Sequence, residues 1–396
     1  MAAIPSLKAY QGPALLSYGF RPFFFFGGCY AALAIAIWLP VFEGEFALAT
    51  SFAPRDWHVH EMLFGYVAAV VTGFLLTAIP NWTGRLPLQG TPLLVLLIAW
   101  FAGRFAIAWS ARLGWATAAL VDCAFLALLV LAASREIIAG QNWRNLKVLG
   151  PVCVFLLANI GFHTEAHVFG AADVSARAAI AAIIALIILI GGRIVPSFTR
   201  NWLSSENPGR LPLPFGRFDI ISIAVSAAAL CLWVAMPEGS WTGAALCLAG
   251  AIQCVRLTRW AGERTARERL VLILHIAYAF VPLGFVLSGL AAIGTIPHSA
   301  GLHAWMVGAA GTMTLAVMTR ASLGHTGHEL VAGAGTQAIY AAVVAAAGAR
   351  VAGALIPAWT LALLHVATLA WIAAFGGFVV LYGPILFRRA GTGHGP

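Results

Sequence analysis

Residues 57–80 read Trp57-His58-Val59-His60-Glu61-Met62-Leu63-Phe64-Gly65-Tyr66-Val67-Ala68-Ala69-Val70-Val71-Thr72-Gly73-Phe74-Leu75-Leu76-Thr77-Ala78-Ile79-Pro80. Past Glu61 this stretch holds no charged residue. Its length matches the roughly 20 apolar residues that carry a helix across a bilayer core. Comparable runs recur at 20–41, 91–110, 113–133, 146–169, 175–196, 218–236, 240–257, 269–293, 300–320, 333–356 and 358–387, with tight hairpins around Arg112 and Pro357. The pattern predicts an all-α, polytopic transmembrane bundle of about twelve helices. It predicts one transmembrane helical domain over 1–396, with no separate soluble domain.

Composition agrees. Of 396 residues, 61% are hydrophobic and 9% charged, against about 25% charged in a soluble domain. No water-soluble surface can be built from this pool, so the lipid bilayer is the solvent. No cleavable signal peptide is read in the short N-terminus, which holds Pro5, Lys8 and Pro13. Cys29, Cys123, Cys153, Cys231, Cys247 and Cys254 lie in or at the end of apolar runs without CxxC spacing. They read as small buried hydrophobes rather than ligands or disulfides. The net charge of +9 does not point to nucleic acid. With twelve spans, eighteen Lys and Arg fall on the side of the N-terminus, and only Arg55, Arg112, Arg177 and Arg350 on the other. That asymmetry places the first side in the cytoplasm of a bacterial inner membrane, with both termini there.

A repeat is visible every four helices. Span two ends Ala78-Ile79-Pro80-Asn81-Trp82-Thr83-Gly84-Arg85, span six ends Ile194-Val195-Pro196-Ser197-Phe198-Thr199-Arg200-Asn201-Trp202, and span ten ends Val317-Met318-Thr319-Arg320. Spans two and ten share a His followed by Gly five residues later, His60/Gly65 and His303/Gly308. Taken at face value, the repeat arranges three four-helix units around a pseudo-threefold axis.

Polar groups in a bilayer core are costly and usually face the bundle interior, so their depth matters. His58 and His60 open the second span, His163 and His167 close the fifth, and His303 opens the tenth, all on the outer side; His365 lies in the outer part of the twelfth. His275 stands apart toward the cytoplasmic face. Imidazole suits haem iron and copper. His60 and His303, single histidines at equal depth on different helices, could be the two axial ligands of a haem. His58 and His60 are about 200° apart on a helix and share a metal only if the segment begins extended. His163 and His167, four apart on one face, could dock a mononuclear copper, with Asn159 a turn below. Glu61, Glu165, Asp122, Arg104 and Arg193 are candidates for outer partners of a metal-bound imidazole, propionate partners or proton carriers. The bland alternatives are inert interfacial histidines and structural ion pairs. The Arg256–Arg269 run reads as a solvated cytoplasmic loop.

The stretch from Trp57 to Gly65, continued by Gly73-Phe74-Leu75-Leu76-Thr77-Ala78-Ile79-Pro80-Asn81-Trp82-Thr83-Gly84-Arg85, resembles the signature of the NnrS family. So do Gly191-Gly192-Arg193-Ile194-Val195-Pro196-Ser197-Phe198-Thr199-Arg200-Asn201 and the stretch from His303 through Gly311 to Gly327. The resemblance implies a haem- and copper-containing inner-membrane protein of denitrifying or nitric-oxide-exposed bacteria. On the family pattern the recurring histidines correspond to His58, His60, His163, His275, His303 and His325. His328 stands where the family has Arg, and His167, His298 and His365 look individual to this chain.

A looser similarity is to the catalytic subunit of haem–copper oxidases and nitric oxide reductases. Its second- and tenth-helix histidines, which hold a low-spin haem, correspond to His60 and His303. Helices six and seven here lack the histidines that hold its copper, leaving His58, His163 and His167 for a second metal. The expected function is binding, and reduction or detoxification, of nitric oxide through haem b, with copper as a further cofactor. His60, His303, His275, Arg104 and Arg193 would bind the cofactor; Glu61 and Glu165 would relay protons. A quinol or cytochrome would donate electrons. The other readings are a haem-based nitric oxide sensor or buffer without turnover, and a transporter of a metal or small anion.

Overall fold

The computed structural model describes residues 10–389, without the side chain of Arg144. Lys8 and the two chain ends lie outside the described residues. Among these residues the chain is helical with no strand. The long helices are α1 Phe20–Phe42, α2 Pro54–Thr83, α3 Thr91–Ala108, α4 Trp115–Ala139, α5 Leu146–Phe169 and α6 Asp173–Glu206. They continue with α7 Arg217–Ala235, α8 Ser240–Thr258, α9 Arg269–Ala292, α10 His298–Thr326, α11 Ala334–Leu355 and α12 Pro357–Phe387. Eleven are long and apolar enough to cross a membrane. The exception, α8, matches the expected span 240–257 but carries Gln253 and Arg256, which lower its hydropathy.

The breaks fall where backbone chemistry requires them. Helix α2 ends at Gly84, whose φ of 70° lets its N–H reach back to the Pro80 carbonyl at 2.9 Å. The α3–α4 hairpin turns through Ser110–Leu113 and Gly114, at φ 83°. The second tight hairpin is the 3-10 turn Pro357–Trp359.

Three helices widen into a π turn: α2 over Glu61–Val67, α6 over Ile187–Gly191 and α10 over Ala304–Gly311. These are the helices at the four-helix interval that the sequence marks. A π turn has i→i+5 bonds and is a frequent companion of functional sites.

The contacts divide the chain into two compact units: residues 1–172 with 318–330 and 375–396, and residues 173–317 with 331–374. In unit one, Arg21 is buried and donates to the carbonyls of Ile385, Leu386 and Arg388 at 3.1, 2.8 and 2.7 Å. It therefore caps the C-terminal end of α12, whose last carbonyls have no partner within the helix. Arg21 is one of the eighteen basic residues assigned to the cytoplasmic side, yet its side chain turns into the bundle. Trp100 of α3 donates its indole N–H to the Gly65 carbonyl in the π turn of α2 at 2.9 Å. Trp100→Phe is expected to cost about 0.5–1.5 kcal/mol in detergent unfolding; an unchanged midpoint would show that the bond does not hold the turn.

In unit two, Arg256 is fully buried, which corrects the reading of 256–269 as solvated loop. Helix α8 continues through Thr258, so Arg256 stays inside. Its Nε lies 3.0 Å from Asp219 Oδ1, and Nη1 donates to the Ile188 carbonyl at 3.1 Å and to Tyr278 Oη at 3.0 Å. Tyr278 in turn donates to Gln253 Oε1 at 2.8 Å, and Gln253 Nε2 to Ser226 at 2.8 Å. Gly192 of the sequence motif makes room for this network, because a Cβ there would collide with the Arg256 guanidinium.

All six cysteines are unpaired. Cys231 and Cys254 are exposed and the others half-buried. They are therefore small apolar residues on helix faces rather than the core residues expected.

Candidate metal centre

Five helices of unit one direct polar side chains to one buried point. His60 ends the first α-helical part of α2 and Glu61 opens its π turn. Arg104 comes from α3, Asp122 from α4, and Asn159 and His163 from α5. All six are buried. Tyr30 of α1, half-buried, closes the group from the side.

The hydrogen bonds define its chemistry. His60 Nδ1 lies 2.8 Å from Glu61 Oε1. His60 Nε2 lies 3.2 Å from Asp122 Oδ2 and 3.1 Å from Asn159 Oδ1. His163 Nε2 is also 3.2 Å from Asp122 Oδ2, which accepts from Asn159 Nδ2 at 2.8 Å. Arg104 bridges the two carboxylates, with Nη1 2.5 Å from Glu61 Oε1 and Nη2 against Asp122 Oδ1. Tyr30 donates to Glu61 Oε2. Glycines permit the approach: a Cβ on Gly103 would meet Asp122 Oδ1 at 2.9 Å, and one on Gly65 would meet Arg104 Nη1 at 2.8 Å.

Two consequences follow. Both ring nitrogens of His60 face acceptors, while a neutral imidazole carries one proton. One nitrogen therefore needs a second proton or a metal ion, or the carboxyl that faces it must itself carry the proton. The charges say the same, since two carboxylates face a single guanidinium in a buried site, and buried charge requires compensation.

A metal ion fits. His60, Asp122 and His163 offer ligand atoms that all lie within 4.8 Å of one another. Their 3.2 Å contacts match the spacing of neighbouring ligands around an ion with bonds of about 2.1 Å. Two imidazoles and a carboxylate form the donor set of a facial triad, suited to iron and also acceptable to copper or zinc. The Glu61 carboxylate on His60 Nδ1 is the outer partner that fixes a ligating imidazole. A porphyrin does not fit in front of His60, because Asp122, Asn159 and His163 fill that space.

The family profile of the NnrS protein matches residues 14–389. The chain belongs to the NnrS family. No curated protein matches it. Membership in NnrS points to a multi-pass membrane protein of the nitric oxide response, associated with haem or metal, and the buried His–Asp–His group is where this NnrS chain can hold a metal.

Of the residues singled out in the sequence, the structure brings together His60, Glu61, Arg104 and His163. His58 is half-buried and stacks on Trp38 at 4.3 Å, because Pro54–His60 is helical and turns the two histidines apart. His167 is exposed and stacks on Trp115 at 4.3 Å, outside the converging group. Glu165 is half-buried near the end of α5 and is not in that group. Arg193 is exposed on α6. His275 is buried in unit two, with Nε2 2.8 Å from Thr199 Oγ1 and Nδ1 without a hydrogen-bond partner. Its Nδ1 lies beside Gly262, where any Cβ would collide with the ring. His303 uses both nitrogens, Nδ1 toward the Ser299 carbonyl and Nε2 toward Arg350. His303, as held, leaves no nitrogen open for haem iron, whereas His275 Nδ1 is unengaged beside Gly262.

Asp122, expected only as an outer partner, contacts Arg104, Asn159, His60 and His163. Tyr30 was not among the expected site residues, and Asn159 was expected only as a neighbour of His163. A carboxylate in mid-span was the available signal for Asp122, since such a group is expensive in lipid.

Proposed function

We propose that this NnrS protein binds nitric oxide at a mononuclear metal held by His60, Asp122 and His163, and reduces it to nitrous oxide. The reading rests on one observation: the convergence of three ligand atoms within 4.8 Å in a buried, net-negative cluster. Iron or copper at this position would supply electrons to bound nitric oxide, drawn from a quinol or a cytochrome. Two nitric oxide molecules, two electrons and two protons give nitrous oxide and water. Nitric oxide is neutral and enters from lipid, so a buried site needs no charged path.

The chain's own groups have distinct tasks. His60 and His163 would hold the ion through Nε2, and Asp122 would supply the anionic ligand oxygen. Glu61 accepts from His60 Nδ1 and holds the ring in its ligating tautomer. Arg104 balances the two carboxylates and keeps both from moving. Tyr30, at the edge of the cluster, donates to Glu61 and forms a route by which a proton reaches it. The protein works in the bacterial inner membrane with both termini cytoplasmic. Haem b has no part in these steps; binding it through His303 would require Arg350 to release Nε2.

Elemental analysis and spectra of the purified protein test this reading. Wild type and His58→Ala are expected to carry stoichiometric iron or copper, and their reduced spectra to change when nitric oxide is added. His163→Ala should lose both the metal and the response. Wild-type protein free of either metal, or a His163→Ala variant that retains its full content, would refute the site. Binding without nitrous oxide release would favour the sensor or buffer reading.

A further inference from the structure

Unit two contains a second histidine–arginine pair whose charge balance is opposite to that of the metal centre. His303 Nδ1 lies 2.6 Å from the Ser299 carbonyl oxygen, which can only accept. The ring proton is therefore on Nδ1, and Nε2 is a lone pair. Arg350 Nη2 donates to that lone pair at 2.6 Å.

The pair occupies the same place in its repeat as His60 and Arg104. His60 and His303 each stand directly before a π turn, at Glu61 and Ala304. Arg104 lies four residues before the end of α3 at Ala108, and Arg350 five before the end of α11 at Leu355. The carboxylates differ. Arg104 is ion-paired with Glu61 and Asp122. Among the described residues Arg350 forms no ion pair, and its Nη2 meets a neutral imidazole. One copy of the arrangement is short of a cation and the other is short of an anion.

We propose that His303 and Arg350 form a binding site for a small oxyanion that presents two oxygens, of the class of nitrite or a carboxylate. A guanidinium on a membrane helix without counter-charge is costly. Its planar fork matches two oxygens of one anion better than it matches a spherical ion. The His303 lone pair holds Arg350 Nη2 in place, which orients the fork and leaves its other N–H groups for the anion. Arg350 is half-buried and lies five residues from the end of α11, near the helix terminus from which an anion would approach. A phospholipid headgroup phosphate offers the same chemistry from another source. The site uses residues of unit two alone and does not depend on the metal reading.

Calorimetric titration of the detergent-purified, full-length protein with nitrite, formate and chloride tests the proposal, alongside mass spectrometry of co-purified phospholipid. Wild type is expected to bind nitrite or formate saturably and chloride far more weakly. Arg350→Gln should weaken that binding roughly 10- to 100-fold, the loss of one or two charge-assisted hydrogen bonds, while the metal content of unit one stays unchanged. Arg350→Lys, which keeps the charge and loses the fork, should fall between the two, and it carries the test if Arg350→Gln does not fold. Phospholipid bound to wild type and lost in both variants would assign the oxyanion to a headgroup. The proposal is overturned if wild type binds neither anion and holds no Arg350-dependent lipid, or if the variants bind as wild type does.

Discussion

Asp122→Asn is expected to reduce the bound metal from stoichiometric to trace and to lower the unfolding midpoint of the detergent-solubilised protein. The side chain keeps its shape, so any effect belongs to the charge and the acceptor count. Asp122 Oδ1 faces Arg104, while Oδ2 faces Asn159 Nδ2 at 2.8 Å and the Nε2 atoms of His60 and His163 at 3.2 Å. An asparagine has one acceptor oxygen and would turn an N–H₂ group toward either the guanidinium or the other donors. It also removes the anionic ligand, and it leaves Arg104 buried with Glu61 as its single carboxylate. Breaking a buried ion pair from one side costs about 3–5 kcal/mol; the surviving Glu61 contact should hold the loss to the lower end. Elemental analysis and a thermal unfolding curve on the same preparation separate the two effects. If Asp122→Asn retains full metal, the ion is not bound at this carboxylate; if only the metal is lost, Arg104 is held well enough by Glu61.

Much of this architecture was legible because lipid leaves few choices. Apolar runs of the right length gave the helices, and the Arg112 and Pro357 hairpins fell where they were expected. His60 stood out because an imidazole at the head of an apolar run requires a reason. What escaped was convergence. Asp122 is 62 residues from His60 along the chain, and nothing in either helix alone says that they meet. His58 and His60 look alike in sequence, yet a helical start places one ring on Trp38 and the other in the centre. His163 and His167 share a helix face by spacing, but Asp122 engages the first and Trp115 the second. Charge near a span end misled most. Arg21 and Arg256 both counted as cytoplasmic, and both turn inward, one to cap α12 and the other to pair with Asp219. A tally of loop charges cannot distinguish a snorkelling arginine from one that has a buried acceptor waiting. Gly192 stands in the sequence as part of a family motif, and its physical role is to leave space for that second guanidinium.

Asp219→Ala is expected to have the largest effect on stability of any single change in unit two. Arg256 is 0% exposed and its Nε lies 3.0 Å from Asp219 Oδ1. Arg259, 4.0 Å from the other carboxylate oxygen, is partly exposed and can turn to solvent, whereas Arg256 cannot. Removing the carboxylate therefore strands a cation between α7, α8 and the π turn of α6, at a cost of about 3–5 kcal/mol. The Ile188 and Tyr278 contacts would remain, but both partners are neutral and do not replace the charge. The double change Asp219→Leu with Arg256→Met is expected to recover most of that loss, because apolar groups of similar volume often replace a buried pair without penalty. Unfolding of wild type, Asp219→Ala and the double variant in one detergent decides the matter. Recovery in the double variant identifies the pair as structural. If the double variant is as unstable as Asp219→Ala, the Arg256 bonds to Ile188 and Tyr278 hold the π turn of α6, and the guanidinium rather than the ion pair is what unit two requires.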